Sequence, residues 1–325
     1  MSVVPERPAK VLVCGEALID LFACPVDPSG TSMIACTGGS PLNVATGIAR
    51  LGTQAAFLGG ISRDHFGEVI IKFATAEGIE MSLVKRTGRP TPLVTVATDP
   101  TGHPSYAFYT YETAEHDLTL DDLPSDLPET IDAIAMGSYA LALEPVGTAL
   151  LALAQREAQR RVISLDPNLR PALVGPLDRW RQRFESVAHC ATIIKLSEED
   201  FTLGWGADAQ IETAVRCWLE NGVRLVAMTR GASGAAVWWS GGKATFPAHA
   251  AEVIDAVGAG DSFHAALLAR LAQRCLLDRK SLADLDRSAV EDVIRYANAA
   301  AALTCGCRGA DMPRQADVEG ALHAS

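Results

Sequence analysis

No apolar run in this chain approaches the ~20 residues a helix needs to cross a bilayer. Residues 1–10 are polar, hold two prolines and lack the apolar stretch of a secretion signal, so a cytoplasmic location is expected. Basic residues are in the minority: 28 Lys and Arg against 39 Asp and Glu leave a formal net charge of −11. Such a chain repels nucleic acid and anionic membranes, so neither is expected as a partner. The eight cysteines (Cys14, Cys24, Cys36, Cys190, Cys217, Cys275, Cys305 and Cys307) form no Cys/His cluster with the spacing of a zinc site. Most sit in apolar segments, and they read as reduced core thiols. Two familiar phosphate loops are also missing. No G-x-x-x-x-G-K-[ST] occurs, since Gly241-Gly242-Lys243-Ala244 lacks the hydroxyl residue. A dinucleotide G-x-G-x-x-G is absent too, because the late glycine loop at Gly258 and Gly260 has no third glycine.

What is present is an α/β pattern. At 325 residues, about half of them hydrophobic, the chain can bury a sizeable core. Apolar runs at 11–15, 55–61, 131–136, 162–166, 192–196, 225–229 and 235–239 read as buried strands. Helical patterns follow Ser40-Pro41, where Ser40 is expected as the cap, and at 66–77, 146–160, 180–188, 211–220, 261–277 and 289–304. The last two close the chain, joined by a charged surface connection over 278–287. This alternation predicts a mostly parallel sheet with helices on both faces. Two stretches interrupt it: 20–37, broken by Pro25, Pro28 and Gly30, and 88–113. Within the second, β-rich runs at 93–98 and 105–111 flank Gly102 and Pro104 like a hairpin. These interruptions are expected to form a small sheet apart from the main domain.

The most informative stretch is Asp255-Ala256-Val257-Gly258-Ala259-Gly260-Asp261, directly before a helical pattern. Small residues let backbone amides approach an anion, and a helix start adds free N–H groups and a positive dipole end. Asp261 in this cradle can take a hydroxyl proton while the amides hold a transferring phosphoryl group. It can equally be a plain helix cap.

Asp255-Ala256-Val257-Gly258-Ala259-Gly260-Asp261 resembles the C-terminal signature of the ribokinase-like (PfkB) carbohydrate kinases, usually D-T-x-G-A-G-D. Gly38-Gly39-Ser40-Pro41-Leu42-Asn43-Val44-Ala45, then Leu51-Gly52, then Asp64-His65-Phe66-Gly67, resembles the N-terminal one. Two long signatures in order, roughly 200 residues apart, are far more specific than either alone. Gly15-Glu16-Ala17-Leu18-Ile19-Asp20 and Asp166-Pro167-Asn168-Leu169-Arg170 narrow the likeness to the fructokinase and 2-keto-3-deoxygluconate kinase branch.

The resemblance implies one ribokinase-like unit over residues 1–325, a three-layer α/β/α domain with a small β-sheet lid from about 20–37 and 88–113. It implies transfer of the γ-phosphate of ATP, with Mg²⁺, to a primary hydroxyl of a monosaccharide. Asp261 is the implied base, and Gly258, Ala259 and Gly260 the implied anion hole. Sugar contacts carry over to Asp20, Gly39 and Asn43. Without the family, Asp20 is a turn residue and Asn43 a polar residue on a first helical turn. Arg170 is expected to hold a phosphate or an acidic group, or to form a surface ion pair. ATP contacts carry over to Lys195, Thr229, Gly231, Gly234 and Asn298, where an ordinary turn and a buried helix Asn are the plainer readings. Ser197 and Asp200 occupy the family's N-x-x-E position, linked to Mg²⁺ through water. Asp255 is kept while Ala256 replaces Thr, which leaves a K⁺ beside the anion hole open. The strand Tyr106-Ala107-Phe108-Tyr109 lacks the arginine that several relatives carry, which favours neutral fructose over ketodeoxygluconate. His264 reads as a helix-surface residue. A homodimer through exposed lid edges is expected. The competing readings are a ketodeoxygluconate, ribose or nucleoside kinase, and a sugar-binding sensor without chemistry.

Overall fold

In the computed structural model, residues 7–24, 30, 32–98 and 104–323 are described; Pro25, Pro28 and Gly102 lie outside them. The strands are β1 (Lys10–Cys14), β2 (Leu18–Ala23), β3 (Met33–Gly38), β4 (Gln54–Leu58), β5 (Gly60–Ser62), β6 (Lys85–Thr87) and β7 (Leu93–Thr98). They continue as β8 (Pro104–Tyr109), β9 (Ile131–Gly137), β10 (Val162–Asp166), β11 (Ile193–Ser197), β12 (Leu225–Thr229), β13 (Ala235–Trp239) and β14 (Gly242–Phe246).

Eight of these form the main sheet in the order β14-β13-β12-β11-β10-β9-β1-β4. From β12 to β4 every pairing is parallel, and β13 and β14 turn back antiparallel at one edge. Parallel strands are buried on both faces, which is why these segments read as continuous apolar runs. Alternate residues divide between two layers. Val11 and Val13 pack with Leu42, Ile48, Phe263, Leu267 and Ile294. Leu12 and Cys14 pack on the other side with Leu150, Leu153 and Phe184. The result is a three-layer α/β arrangement, as the resemblance implies.

A second, four-stranded sheet has the order β3-β2-β7-β8. Its β7 and β8 pair antiparallel, as a hairpin requires, while β2 and β7 run parallel. Val94 and Val96 are buried, whereas Met33, Ile34, Tyr106 and Tyr109 are exposed.

Several elements differ from the sequence reading. The run over 55–61 breaks into β4 and β5 at Gly59, where a Cβ would lie 2.2 Å from the Gly15 carbonyl oxygen. The connection over 278–287 holds a short helix, Arg279–Ala283, capped by Asp278 and anchored by buried Leu282 and Leu285. A further helix, Gln315–His323, follows the two expected to close the chain. Gly39, not Ser40, caps helix Ser40–Arg50. The core-thiol reading holds for Cys14 alone: Cys36, Cys217, Cys275 and Cys307 are exposed and the other three half-buried. Among the described residues, no helix is long and apolar enough to cross a membrane.

Candidate active site

The carboxyl ends of β1, β9, β10, β11 and β12 deliver Glu16, Ser138, Asp166, Ser197 and Thr229 to one edge of the sheet, where ligands of α/β folds bind. Two helices complete that edge. Helix Ser40–Arg50 and helix Ala259–Gln273 cross closely because a Cβ on Gly47 would sit 2.6 Å from the Ala265 Cβ. One helical turn earlier on each, at Asn43 and Asp261, the side chains therefore meet.

Asp261 is 6 % exposed and is the third residue of its helix, not the cap; Gly258 holds that position. Its Oδ2 accepts the Asn43 amide at 2.9 Å. Its Oδ1 accepts the Ser40 hydroxyl at 2.6 Å and the Asn168 amide at 3.3 Å. Burial pushes its pKa up, and the donors from Ser40 and Asn43 and the Lys195 charge oppose that. Gly258 has φ +78° and lies against Ala310 and Met312, so only glycine fits both the turn and the space. The Ala259 N–H makes a turn bond to the Ala256 carbonyl at 3.3 Å.

Beneath this cradle lies a buried ion pair. Lys195 Nζ donates to Asp166 Oδ2 at 2.7 Å, with side chains 3 % and 5 % exposed. The same ammonium is 3.1 Å from where a Cβ on Gly260 would sit, so it faces the helix start. His264 is buried, not on the surface. Its Nε2 is 2.7 Å from the Ser164 hydroxyl, and burial and Lys195 push its pKa down to about 3.

Asp20 lies on β2, opposite Cys36 across the pair with β3. Gly38 makes room for it, since a Cβ there would lie 2.1 Å from Asp20 Oδ2. Burial, and then the Asp261 charge, push Asp20 up to about 6. Gly39 has φ +102° and brings the helix start against the Glu16 carbonyl. Arg170 is exposed and bonds its neighbour's Leu169 carbonyl. The small sheet comes to this edge through β2: Phe22 lies 3.7 Å from where a Gly309 side chain would begin, beside the loop that binds Asp255.

On the other side, Thr229 pairs in register with Ser197. Gly234 has φ +80° and backs onto the Phe246 carbonyl, while Gly231 faces open space. The Asn298 amide donates to the Pro247 carbonyl at 2.8 Å, the buried-helix-Asn arrangement. Asp200 accepts Ser197 N–H and Oγ–H on Oδ2, at 3.0 and 2.7 Å, and Leu169 N–H on Oδ1 at 2.7 Å. Both its oxygens thus serve the chain's own donors, closing a capping box on helix Glu198–Trp205. Asp255 likewise accepts the N–H groups of Val257 and Gly309, tying the cradle to the loop after helix Arg287–Cys305.

Sequence reasoning did not single out Ser40, Asp166 and Asn168 as site residues. Their signal was position alone: each stands inside a segment already quoted for other reasons, and none carries its role without knowing what faces it.

The sequence matches the profile of the pfkB family carbohydrate kinases over residues 8–317. It is 36 % identical over 283 residues to a fructokinase of Rhizobium leguminosarum bv. trifolii, covering 87 % of this chain and 86 % of that one. A fructokinase of Xylella fastidiosa solved with bound ATP superposes with a TM-score of 0.89 at 25 % identity, covering 97 % and 98 % of the two chains. A fructokinase double mutant of Vibrio cholerae O395, solved with fructose, ADP and potassium ion, superposes at 0.84 with 27 % identity, covering 98 % and 100 %.

Proposed function

The chain belongs to the pfkB family of carbohydrate kinases, and we propose that it is a fructokinase moving the γ-phosphate of ATP to a primary hydroxyl of fructose. The observation that carries this is Asp261: a buried carboxylate at a helix start, flanked by a glycine cradle and a buried lysine, at the edge the small sheet reaches. A carboxylate there draws the proton from the sugar hydroxyl, and Gly258, Ala259 and Gly260 face the phosphoryl group as charge builds on it. Because the Ala259 amide already has a turn bond, the Gly260 amide and the Lys195 ammonium carry more of that charge.

Asp20, Gly39 and Asn43 bind the sugar, with carboxylate and amide groups that suit hydroxyls able to donate and accept. Arg170 lies exposed at the rim. Lys195, Thr229, Gly231, Gly234 and Asn298 line the nucleotide side. Asn298 acts there by holding Pro247 rather than by reaching the base, since its amide is already engaged. The donors on Asp200 and Ser197 make direct bonds to Mg²⁺ unfavourable. A Mg²⁺ on the phosphates fits there through waters, and it would neutralise phosphate charge. Both oxygens of Asp255 hold N–H groups, of Val257 and Gly309, so Asp255 would shape a K⁺ site beside the cradle rather than bond the ion directly; the Vibrio cholerae relative was solved with potassium ion bound. The small sheet acts as a lid that excludes water. Its exposed Met33, Ile34, Tyr106 and Tyr109 favour a homodimer through the lid. The enzyme works in the cytoplasm.

A phosphorylation assay across a sugar panel tests this reading. The expected result is highest kcat/KM on fructose. Higher values on ketodeoxygluconate, ribose or a nucleoside replace the substrate, and sugar binding without ATP consumption replaces the activity.

A further inference from the structure

We propose that Ser40 and Asn168 are positioning residues that hold Asp261 ionised and aimed, and that Asn168 is delivered by a loop anchored on the nucleotide side of the cleft. The inference rests on Asp261 being the base. It goes further in assigning work to two residues outside the sugar and nucleotide contacts named above.

The geometry is a continuous chain of polar contacts. Lys195 binds Asp166 Oδ2 at 2.7 Å. The other oxygen, Asp166 Oδ1, accepts the Asn168 backbone N–H at 3.2 Å. The next residue, Leu169, gives its N–H to Asp200 Oδ1 at 2.7 Å. Two carboxylates thus clamp the loop on either side of Asn168, one from β10 and one from helix Glu198–Trp205. Between those clamps Asn168 takes φ +35°, a region that side chains with a Cβ rarely adopt. Its amide reaches Asp261 Oδ1 at 3.3 Å. A non-glycine residue in that backbone region needs surroundings that hold it there, and here they do.

Ser40 works from the opposite side. As the first residue of helix Ser40–Arg50 it is not spent on capping, and its hydroxyl donates to the same oxygen at 2.6 Å. With Oδ1 held by two donors and Oδ2 by Asn43, the carboxylate plane is fixed. Hydrogen bonds to the charged form also favour ionisation, against the burial that disfavours it. The other titratable and charged groups around Asp261 are Lys195 on β11, Asp166 at the end of β10, Glu16 after β1 and Asp20 on β2. His264, one turn along its own helix, is engaged with Ser164. Removing Ser40 or Asn168 donors alters none of these charges, so a shift in Asp261 reports the lost donor.

The experiment compares wild type with Ser40→Ala, Ser40→Thr and Asn168→Gly. Glycine accepts the left-handed backbone at no steric cost, so it removes the amide and leaves the loop in place. The Asp261 carboxyl is titrated by ¹³C NMR in ligand-free protein, and the acid limb of kcat/KM against pH is recorded in parallel. The expected result is an upward move of both by about one pH unit in Ser40→Ala, less in Asn168→Gly, and recovery in Ser40→Thr. An unmoved Asp261 titration in both Ser40→Ala and Asn168→Gly overturns the proposal. The two variants lie on separate elements, so poor folding of one leaves the other to decide. If the wild type phosphorylates no sugar, the kinase reading fails while the NMR titration still decides the positioning roles.

Discussion

Lys195 and Asp166 form an ion pair at 2.7 Å on neighbouring parallel strands, both nearly sealed from solvent. An ammonium is costly to bury, and only a close carboxylate makes it tolerable. The pair therefore places a fixed positive charge next to the helix start, where it counts for more than on the surface.

Asp166→Asn leaves that charge unpaired. Breaking one side of a buried pair costs about 3–5 kcal/mol, so urea unfolding should show a clear loss of stability. Lys195→Met removes the charge with less cavity. It strands the Asp166 carboxylate instead, so a comparable loss of stability is expected, together with a raised KM for ATP and a lower kcat. An Asp166→Asn protein as stable as wild type speaks against the pair's burial.

Asp261→Asn keeps the shape and the Ser40 contact but cannot take a proton. Turnover should fall by about 10²–10⁴-fold, the range for a lost general base, while ATP binding by calorimetry stays within a small factor. Near-normal turnover removes Asp261 from the base role.

Gly258→Ala places a Cβ 2.6 Å from that of Ala310 at φ +78°. The left-handed backbone alone costs roughly 1–2 kcal/mol, and the clash adds to it. Thermal unfolding should drop by several degrees, and kcat should fall more than the KM for sugar, because the cradle and not the sugar contacts is displaced. Unchanged kcat shows that the cradle tolerates the shift.

Glu16 and Glu115 are both 1 % exposed, and each has an Oε2 without a hydrogen-bond partner. Burial pushes Glu16 up to about 8 and Glu115 up to about 7, and the charge of Glu115 adds to the shift at Glu16. The folded chain thus holds protons that the unfolded chain, with ordinary glutamates, has released. Stability must then fall as pH rises from the ordinary glutamate range through these values. Melting temperature is expected to be lower at pH 9 than at pH 6, and Glu16→Gln should flatten that difference. An equal slope in Glu16→Gln places the effect elsewhere.

How much of this was legible beforehand follows from the range of each interaction. The parallel strands were visible because burial on both faces leaves unbroken apolar runs such as Val11-Leu12-Val13-Cys14. Asp261 and Gly258 were visible because a helix start and a tight turn are local events written in adjacent residues. The break at Gly59 was not, because the close approach that only glycine allows there is to the Gly15 carbonyl just beyond β1. His264 looked like a surface residue because its helix is buried almost all round, a state that leaves no amphipathic stripe to read. Ser197 and Asp200 read as groups linked to Mg²⁺ through water. Their local spacing also makes a capping box, and only the Leu169 contact shows where the second oxygen goes. Asn168 depends on two partners, 2 and 93 positions away, and on the neighbouring Leu169 being held by Asp200, and no window of sequence contains them.

The cradle is finished by the loop between helices Arg287–Cys305 and Gln315–His323. Ala310 and Met312 back Gly258, the Gly309 N–H binds Asp255, and the edge of Phe22 lies 3.7 Å from where a Gly309 side chain would begin. The turn that opens the catalytic helix is therefore not self-supporting: its shape is set by a loop from a different part of the chain, and a bulkier side chain at Ala310 should disturb turnover before it disturbs the sheets.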